Sequence, residues 1–212
     1  MNASMLEVLA ALFGVVGVWL TIRENIWCWP VGLVNVSAYL YIFFQEAIFG
    51  AAGLQAFYVV LLLYGWHHWL FGGPERSTLV VTRLRSNQGV PLLIGGAIAS
   101  AILGWQLTSR IGSNFGYWDG ATTVFSIVAT WLSARKILEV WVVWVIVDLA
   151  YVGMFVHQGL YFASVNYAVY TVMAVLGFKA WKESMRASAG RQRASSHENQ
   201  KPEADSNRSV DL

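Results

Sequence analysis

Seven apolar segments, each about long enough to cross a lipid bilayer as a helix, occupy most of this chain of 212 residues. A transmembrane helix needs about 20 predominantly apolar residues. Runs such as 59–63 and 142–147 are apolar on every side, which indicates helices rather than the alternating strands of a membrane barrel. Only 12% of the residues are charged, whereas about a quarter are charged in soluble proteins. The sequence therefore predicts an all-α integral membrane protein with seven transmembrane helices, at residues 5–22, 27–45, 48–70, 90–109, 118–134, 138–156 and 159–178.

Basic residues fall almost entirely on one side of these seven spans. Thirteen of the 14 lysines and arginines lie in loops or in the tail on that side, and only Arg110 lies on the other. Cytoplasmic loops of membrane proteins are enriched in lysine and arginine. We therefore expect a multi-pass protein with its N-terminus outside and its C-terminus in the cytoplasm.

The sequence repeats itself at one constant offset, which is the separation between Trp19 and Trp131 and which we term the repeat offset. Further pairs aligned at this offset without a gap are Arg23 with Arg135, Trp29 with Trp141, Tyr39 with Tyr151, Phe43 with Phe155, Tyr58 with Tyr170, Gly65 with Gly177 and Trp69 with Trp181. The offset spans four helices, so both units cross the membrane in the same direction, as in transporters built from parallel repeats. This predicts a 3+1+3 parallel repeat. Its parts are a first three-helix repeat at 1–70, a cytoplasmic loop and linker helix at 71–117, a second three-helix repeat at 118–182 and a disordered cytoplasmic tail at 183–212.

Polar side chains within the spans fall in one zone of the outer half of the membrane. Such groups are costly in a bilayer and usually face a cavity or the bundle interior. Asn35 and Asp148 lie near the middle of the second and sixth spans. Gln55 and Asn166 lie about 10 Å from the outer ends of their spans, at about 1.5 Å per residue. The same zone includes Trp118, Thr122, Thr123 and Ser126 and is ringed by Trp29, Tyr39, Trp141, Trp144, Tyr167 and Tyr170.

These residue types suit a flat, polar, cationic ligand, because aromatic rings offer stacking and cation–π contacts while Asp148 balances the charge. The predicted substrate-binding residues are Asn35, Gln55, Trp118, Thr122, Trp141, Trp144, Asp148, Asn166 and Tyr170. Two alternatives remain open: the three amides can serve only as hydrogen bonds between helices, and Asp148 can carry a proton relay. We predict no metal site, no cofactor and no nucleic-acid partner; His67 and His68 have no third ligand in sight.

Two other classes of membrane protein fit the sequence poorly. A retinal protein needs a lysine deep within a span, but all the lysines lie at or beyond the cytoplasmic ends of the predicted helices, at Lys136, Lys179, Lys182 and Lys201. An enzyme needs paired catalytic groups, and no nucleophile and base stand at readable spacing. We therefore expect transport of a small polar solute and no enzymatic activity.

A further set of motifs runs through residues 20–181. It comprises Trp29-Pro30-x-Gly32 with Asn35, Leu54-Gln55-x-x-Tyr58, Tyr64-Gly65-Trp66-x-x-Trp69, Trp118-Asp119 with Ser126, Arg135-Lys136-x-x-Glu139-x-Trp141-x-x-Trp144, and Gln158-Gly159-x-Tyr161. Together these motifs resemble the PnuC family of bacterial vitamin-precursor transporters, whose best-known members carry nicotinamide riboside.

The resemblance implies a fold similar to that of the SWEET sugar transporters, a homotrimer, and a place in the bacterial cytoplasmic (inner) membrane. It implies facilitated uptake of nicotinamide riboside, which cytoplasmic phosphorylation then traps. It also implies a central site where a tryptophan, a glutamine and an asparagine hold the nicotinamide, and Gln55 and Asn35 match that pattern directly. The alternative is a transporter of thiamine or of another vitamin or nucleoside with the same fold, with proton coupling through Asp148.

Overall fold

The computed structural model describes residues 3–45, 47, 49–74 and 77–208. The described chain is almost entirely helical, and each predicted span is a helix. The third predicted span begins at residue 48, which lies outside the described residues. The helices are α1 (Ala3–Ile22), α2 (Cys28–Gln45), α3 (Phe49–Phe71), α4 (Ser86–Ile111), α5 (Gly116–Ala134), α6 (Val140–His157) and α7 (Tyr161–Arg208).

Four of these helices are long and apolar enough to cross a membrane: α3, α4, α6 and the part of α7 up to Arg191. Helices α2 and α5 carry more polar side chains, among them Asn35 in α2 and Thr123 and Ser126 in α5. These polar groups line a cavity described below, so they lie away from the lipid. The chain is therefore a multi-pass membrane protein.

The last helix continues well beyond the predicted membrane boundary. Helix α7 extends to Arg208, whereas the sequence predicts a disordered tail from residue 183. The extension begins with methionine, alanine, arginine and glutamate, which are good helix formers. A helix that is already nucleated in the preceding span adds one backbone hydrogen bond per residue and needs no buried face. The low apolar content of the tail is therefore not enough to predict disorder.

Contacts recur in the structure at the repeat offset seen in the sequence. The indole Nε1 of Trp69 donates to the carbonyl oxygen of Ser133 at 2.9 Å, and that of Trp181 donates to the carbonyl oxygen of Thr21 at 3.0 Å. The rings of Trp29 and Trp69 meet edge to face at 5.2 Å, and those of Trp141 and Trp181 do the same at 5.2 Å. Trp69 of α3 and Trp181 of α7 thus each bond to the end of a helix in the other half of the chain.

Helix α4 packs closely against α5 through glycines. A Cβ on Gly104 would meet the backbone of Tyr117, and a Cβ on Gly120 would meet the backbone of Gly104 and Ser100. Small residues at such positions let two helix backbones approach in a membrane. This contact fixes α5 against the linker helix on one side, and the opposite side of α5 faces the cavity.

Candidate functional site

A cavity of about 590 Å³ lies between helices of the two halves of the chain. Its volume falls within the range of about 300–1,000 Å³ that is usual for small-molecule sites. Helices α1, α2 and α3 form one wall, and α5, α6 and α7 form the other. The polar residues of the lining are Thr21, Asn35, Gln55, Thr123, Ser126, Thr130, Ser133 and Asp148, and its tyrosines and tryptophans are Trp29, Tyr39, Tyr58, Trp141, Trp144, Tyr151, Tyr167 and Tyr170.

Most of the residues predicted as binding residues are brought together in this cavity. Six of the nine line it: Asn35, Gln55, Trp141, Trp144, Asp148 and Tyr170. They come from four helices in both halves of the chain, since α2 and α3 supply the two amides and α6 and α7 supply the rest. The lining thus combines amides, aromatic rings and one carboxylate, as the sequence indicates.

Three predicted binding residues lie outside the cavity lining: Trp118, Thr122 and Asn166. The indole of Trp118 donates to the carbonyl oxygen of Ala150 at 2.9 Å. The hydroxyl of Thr122 donates to the carbonyl oxygen of Trp118 at 3.0 Å and is buried. The side chain of Trp118 therefore joins α5 to α6, whereas that of Thr122 bonds within α5, and neither lines the cavity.

The lining shows which face of each helix is turned to the cavity. In α5 it includes Thr123 and not Thr122, because successive residues of an α-helix point about 100° apart. In α7 it includes Tyr167 and Tyr170, whereas Asn166 is half-buried beside them. The position of each polar residue along its helix was predictable from the sequence, but the rotation of each helix about its axis was not.

Several lining residues were not among the predicted binding residues, and the repeat offers a signal for two of them. Tyr58 is the repeat partner of Tyr170, and Tyr151 is the repeat partner of Tyr39. All four tyrosines line the cavity. When one aromatic residue is expected near the site, the residue at the repeat offset from it can therefore be predicted to line the cavity as well. Thr130, one turn beyond Ser126, has no comparable sequence signal.

Asp148 is the only acidic residue among the described residues that line the cavity. It is 3% exposed, and it forms no ion pair with any residue in the described part of the chain. A carboxylate held in a membrane without a partner is costly, and in transport proteins such a group marks a site for a cation or a proton. The cavity therefore offers a carboxylate that a positively charged ligand can neutralise.

Two buried indole N–H groups of the lining also have no hydrogen-bond partner among the described residues. These are the Nε1 atoms of Trp29 and Trp141, whose side chains are 4% and 3% exposed. A buried N–H that lacks an acceptor costs free energy. Both tryptophans lie at the same position in the two repeats, so the two halves carry a pair of like-placed buried donors beside the cavity.

No cluster of three or more histidine, cysteine, aspartate or glutamate side chains that could hold a metal ion occurs within the described residues. His67 and His68 lie near the end of α3, where their rings pack against Phe71 and Tyr64. In the described chain, the two adjacent histidines thus pack against aromatic rings of the same helix.

Comparison with known proteins shows that this chain is similar to transporters of vitamins and vitamin precursors. The nicotinamide riboside transporter PnuC of Escherichia coli K12 is 28% identical over 215 residues, which cover 90% of each chain. The riboflavin/roseoflavin transporter RibM of Streptomyces davaonensis is 28% identical over 185 residues, which cover 82% of this chain and 83% of RibM. A crystal structure described as that of the vitamin B3 transporter PnuC shares the fold, with a TM-score of 0.66 and 22% identity over 87% of this chain and 83% of that one.

The profile of the nicotinamide mononucleotide transporter family matches residues 4–183, which is most of the chain and includes every residue of the cavity lining. The seven helices, the cavity between two halves and this match agree with one another. The chain therefore belongs to the nicotinamide mononucleotide transporter family, whose members are transporters and not enzymes.

Proposed function

We propose that this protein carries nicotinamide riboside across the bacterial cytoplasmic membrane by facilitated diffusion through the cavity between its two halves. The observation that carries the proposal is Asp148, a buried carboxylate without an ion pair in the described chain, in a cavity walled by aromatic rings. The relative from Escherichia coli, similar over 90% of its length, is named a nicotinamide riboside transporter.

The chemistry of the ligand matches the groups of the cavity. Nicotinamide riboside has a flat pyridinium ring that carries a positive charge, a carboxamide, and ribose hydroxyls. Tyrosine and tryptophan rings attract a cation to their faces, and the carboxylate of Asp148 balances its charge. The amides of Asn35 and Gln55 match a carboxamide in donors and acceptors. The indole N–H groups of Trp29 and Trp141 have no partner in the described chain, and oxygen atoms of the ligand can accept a hydrogen bond from them.

The architecture in this proposal is a 3+1+3 parallel repeat, SWEET-like, with seven membrane-spanning helices. The hydrogen bonds of Trp69 and Trp181, which recur at the repeat offset, support it. Rocking of the two three-helix bundles about the cavity would then expose the ligand to each side in turn. We place the N-terminus outside and the C-terminus in the cytoplasm, on the basis of the basic loops.

Two further parts of the proposal rest on the resemblance alone: trapping of the imported riboside by cytoplasmic phosphorylation, and assembly as a homotrimer. The absence of a coupling ion is proposed because no cluster of carboxylates lines the cavity within the described residues. Molar mass in detergent by light scattering tests the trimer, and a monomeric mass would contradict it. The single carboxylate Asp148 leaves proton coupling as the competing mechanism for the same site.

A riboflavin-type ligand is the second candidate substrate. The relative from Streptomyces davaonensis is named a riboflavin/roseoflavin transporter and is as identical to this chain as the relative from Escherichia coli, at 28%. A flavin is flat and suits aromatic walls, but it is neutral and carries no charge for a carboxylate to balance. Asp148 therefore favours the cationic riboside, or a cationic vitamin such as thiamine.

Isothermal titration calorimetry on the purified protein separates these substrates. We expect nicotinamide riboside to bind more tightly than riboflavin and thiamine. Tighter binding of riboflavin would transfer the proposal to the flavin, and tighter binding of thiamine would transfer it to that vitamin. No heat with any of the three would contradict the proposed substrate class.

A further inference from the structure

A layer of buried side chains lies between the cavity and the end of the bundle that holds residues 23–27, 72–74, 77–85 and 135–139, which we term the basic end. A row of four buried tryptophans lies there, in the order Trp29, Trp69, Trp181 and Trp141. Neighbouring rings in this row are 5.2, 5.9 and 5.2 Å apart, and none of the four side chains is more than 4% exposed. A solute that leaves the cavity at the basic end can pass only if these tryptophan rings move apart.

Hydrogen bonds across the two halves hold the row together. Trp69 of the first half donates to Ser133 of the second, and Trp181 of the second half donates to Thr21 of the first. Thr21 and Ser133 are also the last residues along α1 and α5 that line the cavity. The residues that line the cavity at the basic end are thus the same residues that join the two halves of the chain.

A charged contact lies next to the tryptophan row. The ammonium of Lys136 donates to the carboxylate of Glu24 at 2.8 Å, and the two residues are 112 positions apart in the chain, which is the repeat offset. They occupy equivalent positions in the turns between α1 and α2 and between α5 and α6. Both have a backbone φ in the left-handed region, 51° for Glu24 and 50° for Lys136. The repeat thus places opposite charges at equivalent positions of the two turns, where they form an ion pair.

Lys136 is held by several groups besides Glu24. Its ammonium also donates to the carbonyl oxygen of Leu79 at 2.9 Å and lies 4.5 Å from the ring centre of Trp69. Its side chain is only 8% exposed, against 22% for Glu24. Lys136 therefore remains in place, and Glu24 is the partner that can leave.

The turn that carries Lys136 is also anchored by the segment between α3 and α4. The backbone N–H of Thr82 donates to the carbonyl oxygen of Lys136 at 3.0 Å, and the N–H of Leu138 donates to that of Thr82 at 2.9 Å. Arg83 forms an ion pair with Glu139 at 3.0 Å on the same side. The described residues show no such segment bonded to the turn of Glu24, so this turn is the freer of the two.

We propose that Glu24 and Lys136 form the latch of the gate at the basic end of the transport path. Their ion pair holds the tryptophan row closed, and its rupture lets the turn of Glu24 and the start of α2 move away from the second half. The proposal rests on transport through the cavity as set out above. It assigns to these two residues a role in the transport cycle rather than in substrate binding.

The chain provides its own reporter for this gate. Cys28 is the only cysteine of the sequence. It lies four residues after Glu24, is 8% exposed, and lines the cavity at the basic end. Opening of the gate exposes its thiol to a membrane-impermeant maleimide. The labelling rate is measured without substrate, on sealed membrane vesicles of each orientation.

The latch predicts faster labelling in Glu24→Gln, by about threefold to fivefold for the loss of a partly exposed ion pair. The increase occurs only when the reagent is on the side of the basic end. Glu24→Asp keeps the carboxylate and retains a rate near that of the unmodified protein. Arg191→Gln is the control, because its exposed side chain bonds to Ser188 within α7.

An unchanged labelling rate in Glu24→Gln, an equal increase from both sides, or an equal increase in Arg191→Gln would overturn the latch. Calorimetry with nicotinamide riboside on the same variants keeps the two proposals apart. Absent riboside binding with a faster rate in Glu24→Gln supports the latch and rejects the substrate. Normal riboside binding with an unchanged rate rejects the latch and leaves the substrate standing.

Discussion

Trp29 fills the space that a side chain at Gly65 would occupy, so the two residues fit only because the second is glycine. The same relationship recurs at the repeat offset, where Trp141 fills the space beside Gly177. Both tryptophans are buried and belong to the tryptophan row at the basic end. The closeness of α2 to α3, and of α6 to α7, thus depends on these two glycines.

Alanine at Gly65 or at Gly177 should destabilise the protein, since the added Cβ would overlap an indole ring that has no room to move. The expected loss is about 1–3 kcal/mol, the usual cost of overpacking a core. The midpoint of thermal unfolding in detergent measures it. Gly53→Ala in the same helix as Gly65 is the control, because a Cβ there meets nothing within 4 Å. Equal unfolding midpoints for the Gly65 and Gly53 variants would refute this packing role.

Asp148→Asn should weaken binding of a cationic ligand more than that of a neutral one. The substitution keeps the size of the side chain and removes the only acidic group of the described lining. We expect about a tenfold loss for nicotinamide riboside, equivalent to about 1.4 kcal/mol, and little change for its neutral dihydro form. Calorimetry with both ligands provides the comparison. Asp119→Asn, outside the lining, is the control; equal losses for the two ligands in Asp148→Asn would assign Asp148 to packing or to proton handling.

Phenylalanine at Trp29 or Trp141 removes an indole N–H that has no partner in the described chain, whereas phenylalanine at Trp69 removes one that is bonded to Ser133. The loss of ring area is the same in each case. We expect Trp29→Phe to lower the affinity for nicotinamide riboside about tenfold, as the loss of a ligand hydrogen bond would. Trp69→Phe should be the less stable protein of the two, by about 1 kcal/mol. Thermal unfolding and calorimetry on both variants test this, and equal affinity losses would exclude a direct role of the Trp29 indole.

Adjacent threonines in α5 offer a matched pair of variants. Thr123 lines the cavity, whereas the hydroxyl of Thr122 is bonded to the backbone of its own helix. Thr123→Val should weaken riboside binding, and Thr122→Val should leave it unchanged. Calorimetry on the two variants measures the difference. If the affinity of the Thr122 variant fell and that of the Thr123 variant did not, the face of α5 turned to the ligand would be the opposite one.

The positions of the helices were readable from the sequence, because a segment in lipid must satisfy every backbone polar group within itself. Part of the cavity lining was readable as well, since Asn35 and Asp148, polar residues near the middle of apolar spans, both line it. The end of α7 was not, because low hydrophobicity in the tail does not by itself prevent a helix from continuing.

The side of each helix that faces the cavity could be predicted only in part. Trp118 and Thr122 were predicted to bind the substrate, but their side chains bond to backbone carbonyl groups of α6 and α5. Helix rotation depends on packing partners such as the glycines that bring α4 against α5. The ion pair of Glu24 and Lys136 was equally hidden, since it depends on how two distant turns meet.

The central claim is facilitated transport of nicotinamide riboside, and uptake of the labelled riboside into proteoliposomes tests it most directly. The protein is reconstituted with no pH or sodium gradient and no membrane potential. Uptake should then exceed that of protein-free liposomes, level off at equal concentrations inside and outside, and be slower in Asp148→Asn. Uptake no faster than that of protein-free liposomes, or uptake that requires an imposed gradient, would contradict the account.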